Sequence, residues 1–323
     1  MIIYCGIYAP FIEQYISFKR SLGYKFVDAA YTYLQFDRFT IENKQTKIGI
    51  TKDFSERWAE KRPNESDSTR YRRILYLAQF SAFLNEAGYP SFIPRLPKSY
   101  KSTFVPYIFS KDEMEAIILA CDRLKSNRNS NTSVHVIPAL FRTLYGTGIR
   151  ISEALALKNS DVNLDEKYLI IRESKNGRER IIALSKSLAK VCLLYSKSRH
   201  GIQKPDGPFF VKRNGQKCSS RAVYEWFRKV LWVAGISHGG RGQGPRLHDF
   251  RHVFSVHSLA AMSEAGLDLY YSLPILSTYL GHQSLEATEK YVRLTSDIYP
   301  ELISGVDSIC SYVFPEVISY ETD

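Results

Sequence analysis

Pro90, Pro94, Pro97 and Pro106 fall close together and break the chain in one place. Each proline fixes its own φ and removes a backbone donor, so no helix runs through them. Arg95, Lys98 and Lys101 lie between these prolines, and the spacing predicts a basic interdomain linker over residues 94–107. At roughly 100 to 200 residues per domain, 323 residues make two domains, which the linker separates.

Before the linker, apolar residues recur at helical steps. Phe11, Tyr15, Phe18 and Leu22 predict one helix and Ala30 to Phe39 a second, while Thr51 caps a third that runs through Trp58. Residues 68–87 place Ile74, Leu77, Phe80 and Leu84 on the inner face of a fourth, which ends at Gly88. Its early turns carry Arg70, Arg72 and Arg73, read as an edge that tracks phosphates. Residues 1–93 are thus expected to form a helical domain.

After the linker, Ser110 with Glu113 three residues on makes a capping box. A helix is expected over His135 to Tyr145, a tight turn over Gly146 to Gly148 and a second helix over Ile151 to Leu157. Tyr168 to Ile171 and Arg180 to Leu184 read as strands joined through Asn176-Gly177, and Asn214-Gly215 marks another turn. The remainder reads as helix, so the fold class is mainly α with a small antiparallel sheet in the second domain.

Lys and Arg number 44 against 33 Asp and Glu, a net charge of +11. The excess is uneven: +6 over residues 1–107, +10 over residues 108–300 and −5 over residues 301–323. Cations that neutralise phosphates gain affinity by releasing counterions, so the first two segments suit a polyanion and the acidic tail does not. In that tail Leu302, Ile303, Val306, Ile309, Tyr312 and Val313 form an apolar stripe at helical spacing. It either folds back on its own domain or docks on a neighbouring protomer. The five cysteines are scattered singly, without zinc spacing or disulfide density. No run of 18 apolar residues exists to span a bilayer, and Met1 to Pro10 lacks a signal-peptide pattern, so a soluble intracellular protein is expected.

Four patches carry chemistry. Gly146-Thr-Gly-Ile-Arg150-Ile-Ser-Glu153 delivers an arginine to a helix start with a carboxylate one turn on, and Lys175 sits at the hairpin tip. Leu247-His248-Asp249-Phe250-Arg251-His252 puts a histidine and an arginine on one helical face. Leu280-Gly281-His282 precedes Tyr291 by nine residues. Singly, each has an ordinary reading as a surface ion pair, a solubilising lysine or a packing tyrosine. His248 and His252, four apart with Asp249 between, also admit a zinc-hydrolase reading, for which no third ligand is evident.

The ordered set of Arg150, Glu153, Lys175, His248, Arg251, His282 and Tyr291 resembles the tyrosine recombinases, the family of phage integrases and chromosome-dimer resolvases, over residues 108–300. The stretch between Arg251 and His282, with Gly266, Tyr270, Tyr271 and Pro274, is longer than in compact members. The resemblance implies a helical, SAM-like core-binding domain and a catalytic domain of tyrosine-recombinase type that together clamp DNA. It makes Tyr291 the nucleophile, Arg150 and Arg251 the phosphate clamp, His282 a further donor, His248 the acceptor of the tyrosine proton, Lys175 the general acid and Glu153 a supporting residue. Arg70, Arg72, Arg73, Lys98 and Lys101 are expected on the DNA. The implied chemistry uses no cofactor, metal or ATP. Its partners are double-stranded DNA, a homo-tetramer on two DNA sites built from monomers or weak dimers, and sister recombinases, with no membrane. For the tail, the resemblance favours docking on a neighbouring protomer. A monomeric topoisomerase-like enzyme is the alternative within the same chemistry.

Overall fold

The computed structural model describes residues 2–98, 105–124, 134–172, 179–199, 203–240, 244–282 and 284–298. The chain separates into two compact units, Met1–Phe104 and Val105–Asp323. Lys101, Lys175, the Asn176-Gly177 turn and the tail over 301–323 lie outside the described residues.

The first unit is helical: α1 (Ala9–Ser21), α2 (Val27–Glu42), α3 (Lys52–Ala59) and α4 (Asp67–Glu86). Thr51 caps α3, its hydroxyl accepting from the Phe54 N–H, and Ser66 caps α4 in the same way. The core is strongly aromatic, with Tyr8, Tyr15, Tyr33, Phe36, Phe54, Trp58 and Phe80 buried together. Edge-to-face pairs such as Phe36 and Trp58, 5.3 Å between centroids, orient these rings. The approach to the linker packs on this unit: the Phe92 N–H donates to the Ile50 carbonyl at 2.7 Å, and Pro94, the linker's first residue, is buried.

The first expected helix is present as α1, and one expectation for this unit, Arg73, needs correction. The buried stripe of α1 is Ile12, Tyr15 and Ile16, while Phe18 and Leu22 are 50% and 56% exposed. The apolar arc of α1 is wider than one face, and the side toward α2 and α4 carries Ile12 rather than Phe18. Arg73 does not face solvent either. Its side chain is 3% exposed, bonded through Nη2 to Glu65 at 2.8 Å and to the Glu60 carbonyl, with its guanidinium 5.1 Å from the Trp58 ring centroid. It is an internal tie between α4 and the α3–α4 connection. Arg70 is half-buried and donates to the Ala59 carbonyl at 2.8 Å, whereas Arg72 and Lys98 are exposed.

The second unit begins with α5 (Lys111–Asp122), whose capping box of Ser110 and Glu113 is fully formed. A single 3-10 turn at Val134–Val136 leads into α6 (Ile137–Thr147), followed by α7 (Ile151–Ala156). Strands β1 (Val162–Asn163), β2 (Tyr168–Ile171) and β3 (Arg180–Ala183) make one antiparallel sheet in that order. Leu169 pairs with Ile182, and both are buried while Ile181 faces out. Then come α8 (Lys186–Ser198), α9 (Ser220–Val233), α10 (Asp249–Glu264), α11 (Leu269–Leu280) and α12 (Glu286–Ile298). The expected Asn214-Gly215 turn is present, with Gly215 at φ +77° and the Lys212 N–H donating to the Gln216 carbonyl.

Helix α6 lies at the centre of the main core. Phe141 sits 5.3 Å from Phe250 of α10 and 6.1 Å from Phe227 of α9. A smaller cluster joins α10, α11 and α12 through Val256, Leu259, Leu273, Leu276, Leu280 and Tyr291. Among the described residues no helix is long and apolar enough to cross a membrane. Cys121, Cys192 and Cys218 are buried free thiols, and Cys5 is an exposed one.

Candidate active site

Helix α6 runs through Thr147, two residues past its expected end at Tyr145, and stops at Gly148, in the left-handed region at φ +60°. Only glycine fits, because a Cβ there would collide with the Phe254 ring. Arg150 follows as the N-cap of α7. Its backbone N–H donates to Glu153 Oε2 at 2.9 Å and its Nη1 to Oε1 at 2.8 Å. Glu153 is 4% exposed and also accepts two bonds from Arg180, at 3.2 Å and 2.8 Å. Burial alone would raise the Glu153 pKa, but the bonds from Arg180 and the Arg150 backbone, with the Arg180 charge, hold it below the usual carboxylate value.

Arg180, expected from the sequence only as the first residue of a strand, has a further place in the structure. Its Nε donates to the Tyr279 carbonyl at 3.0 Å, so β3, α7 and the end of α11 meet on one guanidinium. Arg251, in the first turn of α10, ties a second set of segments. It is 2% exposed, and it donates through Nη1 to the Gly148 carbonyl at 2.8 Å and through Nη2 to the Leu280 carbonyl at 2.7 Å. Desolvation, then the neighbouring Arg150 charge, pushes its pKa down to about 10, which leaves it protonated near neutrality.

Three imidazoles surround these cations. His248 is the N-cap of α10 and keeps an exposed edge. Desolvation, then Arg251 and Arg150, lower its pKa to about 4. His282, just beyond α11, bonds Thr288 through Nδ1 at 2.7 Å, and the same causes in the same order lower it to about 4. His252, one turn past His248, is 5% exposed; desolvation first, then His248 and Lys290, lower it to about 3. All three are therefore neutral near pH 7 and act as hydrogen-bonding groups rather than charges.

Tyr291 of α12 is 1% exposed. Its ring stacks at 16° to His282, 6.3 Å between centroids. Burial raises its pKa, while Arg251 and Ser255 beside the hydroxyl pull the other way. Its oxygen also lies 2.9 Å from the Nδ1 of His252. His248 was the expected acceptor, yet it contacts His252 instead, ring to ring at 90° and 5.1 Å. His252 carried a signal in the sequence only as half of a zinc pair. Among the described residues no group of three or more His, Cys, Asp and Glu is arranged to hold a metal ion.

The structure thus brings together Arg150, Glu153, His248, Arg251, His282 and Tyr291. It adds Arg180, His252 and Thr288, and it places Lys290 with its Nζ 5.2 Å from the Tyr291 ring centroid. Planar guanidiniums that lie beside neutral imidazoles and one tyrosine are groups able to bind a phosphate through paired hydrogen bonds and to add further donors. Gly148 keeps this frame in register. Gly148→Ala is expected to cost about 1–2 kcal/mol from the backbone alone, and more once Phe254 is displaced, read as a lower urea midpoint.

Residues 108–297 match the phage integrase family, and the chain belongs to that family, the tyrosine-type site-specific DNA recombinases. Over 306 residues it is 28% identical to y4rB of Sinorhizobium fredii, a protein named as an integrase/recombinase, covering 92% of this chain and 96% of the relative. It is 27% identical over 243 residues to the tyrosine recombinase XerD of Rhizobium meliloti, covering 74% of each. In fold it is similar to a lambda integrase dimer bound to a COC' core site, with a TM-score of 0.63 at 17% identity over 90% of this chain and 77% of that one. It is also similar to the XerH site-specific recombinase bound to palindromic difH substrate, with a TM-score of 0.60 at 18% identity over 85% and 78%.

Proposed function

We propose that the protein cuts and rejoins double-stranded DNA at specific sites through Tyr291. The reading is carried by Arg251, which bonds the carbonyls of Gly148 and Leu280 beside the Tyr291 hydroxyl. One guanidinium thereby locks the Arg150 turn and the His282 turn next to the tyrosine. Tyr291 Oη attacks the scissile phosphorus, the P–O bond to the 5′ oxygen breaks, and a 3′-phosphotyrosine and a free 5′-hydroxyl result. Bond energy is kept in the phosphotyrosine, so rejoining needs no ATP, and the arginines supply the charge that a metal ion would.

Arg150 and Arg251 bind the non-bridging oxygens, His282 donates to them, His248 takes up the Tyr291 proton, Lys175 protonates the departing oxygen, and Glu153 orients Arg150. A phosphate entering among these groups offsets the repulsion between the two arginines. Strand exchange between two sites through a Holliday junction follows the family pattern, with a homo-tetramer, alone or with sister recombinases, as the working assembly and cytoplasmic DNA, including integrase- or transposon-borne DNA, as its target. The lambda integrase and XerH relatives, each captured on DNA, support the DNA reading.

The test is a nicked duplex carrying DNA from beside the protein's own gene, in which cleavage releases a short strand and traps the covalent complex. A protein–DNA adduct is expected; its absence on DNA the protein demonstrably binds would overturn the proposal.

Outside the site, Arg72 and Lys98 are proposed as phosphate contacts because both are exposed on a unit of positive net charge. Arg72→Ala is expected to lower the slope of log affinity against log salt by about 1. Titrations at several salt concentrations measure it, and an unchanged slope removes Arg72 from the interface.

A further inference from the structure

We propose that His252 is the positioning residue of the nucleophile, its Nδ1 accepting the phenolic hydrogen of Tyr291 and so fixing where the hydroxyl oxygen stands. This inference rests on the reading of Tyr291 as the nucleophile.

Three observations carry it. The His252 Nδ1 to Tyr291 Oη distance is 2.9 Å, a full hydrogen bond. Both side chains are buried, His252 at 5% and Tyr291 at 1% exposed, so water does not compete freely for that bond and its geometry is held by packing. His252 sits on α10 one residue after Arg251, so the group that fixes the hydroxyl and the group that clamps the phosphate share one helical turn. A rigid turn that carries both sets the spacing between oxygen and phosphorus.

The charge state agrees with this role. The imidazole is kept neutral by desolvation, with His248, Lys290, Arg251 and His282 all opposing its protonation. A neutral imidazole accepts at one ring nitrogen, whereas an imidazolium has no acceptor to offer. With Tyr291 protonated in the resting site, the bond runs from Oη–H to Nδ1. When phosphate arrives, the same contact keeps the oxygen facing the phosphorus until the phenolic proton leaves.

Asn and Gln distinguish the two ring nitrogens. An asparagine amide places a polar atom near the Nδ1 position, and a glutamine amide places one near Nε2. The rate of covalent adduct formation on the nicked duplex is measured for wild type, His252→Asn, His252→Gln and His252→Phe, with DNA affinity and thermal midpoint measured on the same proteins. His252→Phe is expected to slow adduct formation roughly a hundredfold, the scale of a small misplacement of a reacting group, with DNA affinity kept. His252→Asn should restore about a tenth or more of the wild-type rate and His252→Gln should not. Equal rates for wild type and His252→Phe, or equal rates for Asn and Gln, overturn the inference. Should His252→Phe fail to fold, the Asn and Gln pair still decides. A wild-type protein that forms no adduct removes the nucleophile reading and this inference with it, whereas a wild-type adduct matched by His252→Phe removes this inference alone.

Discussion

Tyr291→Phe is expected to abolish covalent attachment to DNA while leaving DNA binding in place. The substitution removes one oxygen and keeps the ring that packs against Val256, Leu259 and Leu280, so the fold stays intact. It loses the bond to His252, worth about 1 kcal/mol of stability. The chemical loss is far larger. Removing a nucleophile from an otherwise complete site costs on the order of 10⁶ in rate. Gel analysis of the nicked-duplex reaction checks the first half and a mobility shift the second. A residual adduct in Tyr291→Phe would mean that another side chain attacks.

Glu153→Ala is expected to damage both stability and chemistry. One carboxylate accepts from the Arg150 backbone and side chain and from two nitrogens of Arg180. Deleting it leaves the Arg180 guanidinium, 10% exposed, beside Arg150 with no counter-charge. Breaking a buried pair from one side costs about 3–5 kcal/mol. With Arg150 no longer oriented, the clamp loses on the order of 2.7–4 kcal/mol of transition-state stabilisation, or 10²–10³ in rate.

The pH dependence has a definite sign. The folded pKa of Glu153 lies below its ordinary value of 4.5, so its contribution is fully present above that value and is lost as the pH falls through the folded pKa. Wild type should therefore lose stability below about pH 4.5, and Glu153→Gln should lose less over the same range. Urea midpoints at neutral and acid pH measure both, and equal acid sensitivity of the two proteins would contradict the assignment.

Much of this fold was legible where local chemistry and pattern agree. The Thr51 cap, the Ser110–Glu113 box and the pairing of Tyr168–Ile171 with Arg180–Ala183 are decided by neighbours in sequence, and the structure has each of them. The basic edge of α4 shows where reading stops. Arg72 and Arg73 look alike as letters, yet Arg73 stands four residues before Leu77 on the buried face of its helix. The periodicity that identified Leu77 and Phe80 also reached Arg73, and the charge drew the reading away from it. Its acceptors are Glu65 and the Glu60 carbonyl, which only the path between α3 and α4 brings near.

The site divides in the same way. Arg150, His248, Arg251, His282 and Tyr291 were singled out because their order along the chain resembles a known family. Of the residues that hold them in position, Glu153 shares that order, whereas Arg180 and His252 act through tertiary contacts. Arg180 reaches Glu153 across 27 positions, and His252 meets Tyr291 across 39. Neither spacing has a local signature. Thr288 is nearer to legible, three residues before Tyr291 on α12, but its role depends on where the His282 turn ends.

The most direct measurement is the identity of the covalent linkage. The adduct formed on the nicked duplex is digested with protease and nuclease, and the modified peptide is sequenced by mass spectrometry. The account predicts a nucleotide joined through its 3′ phosphate to Tyr291 in the peptide around Glu289-Lys290-Tyr291-Val292, with a free 5′-hydroxyl on the released strand. A linkage at any other residue, or one through a 5′ phosphate, would contradict it.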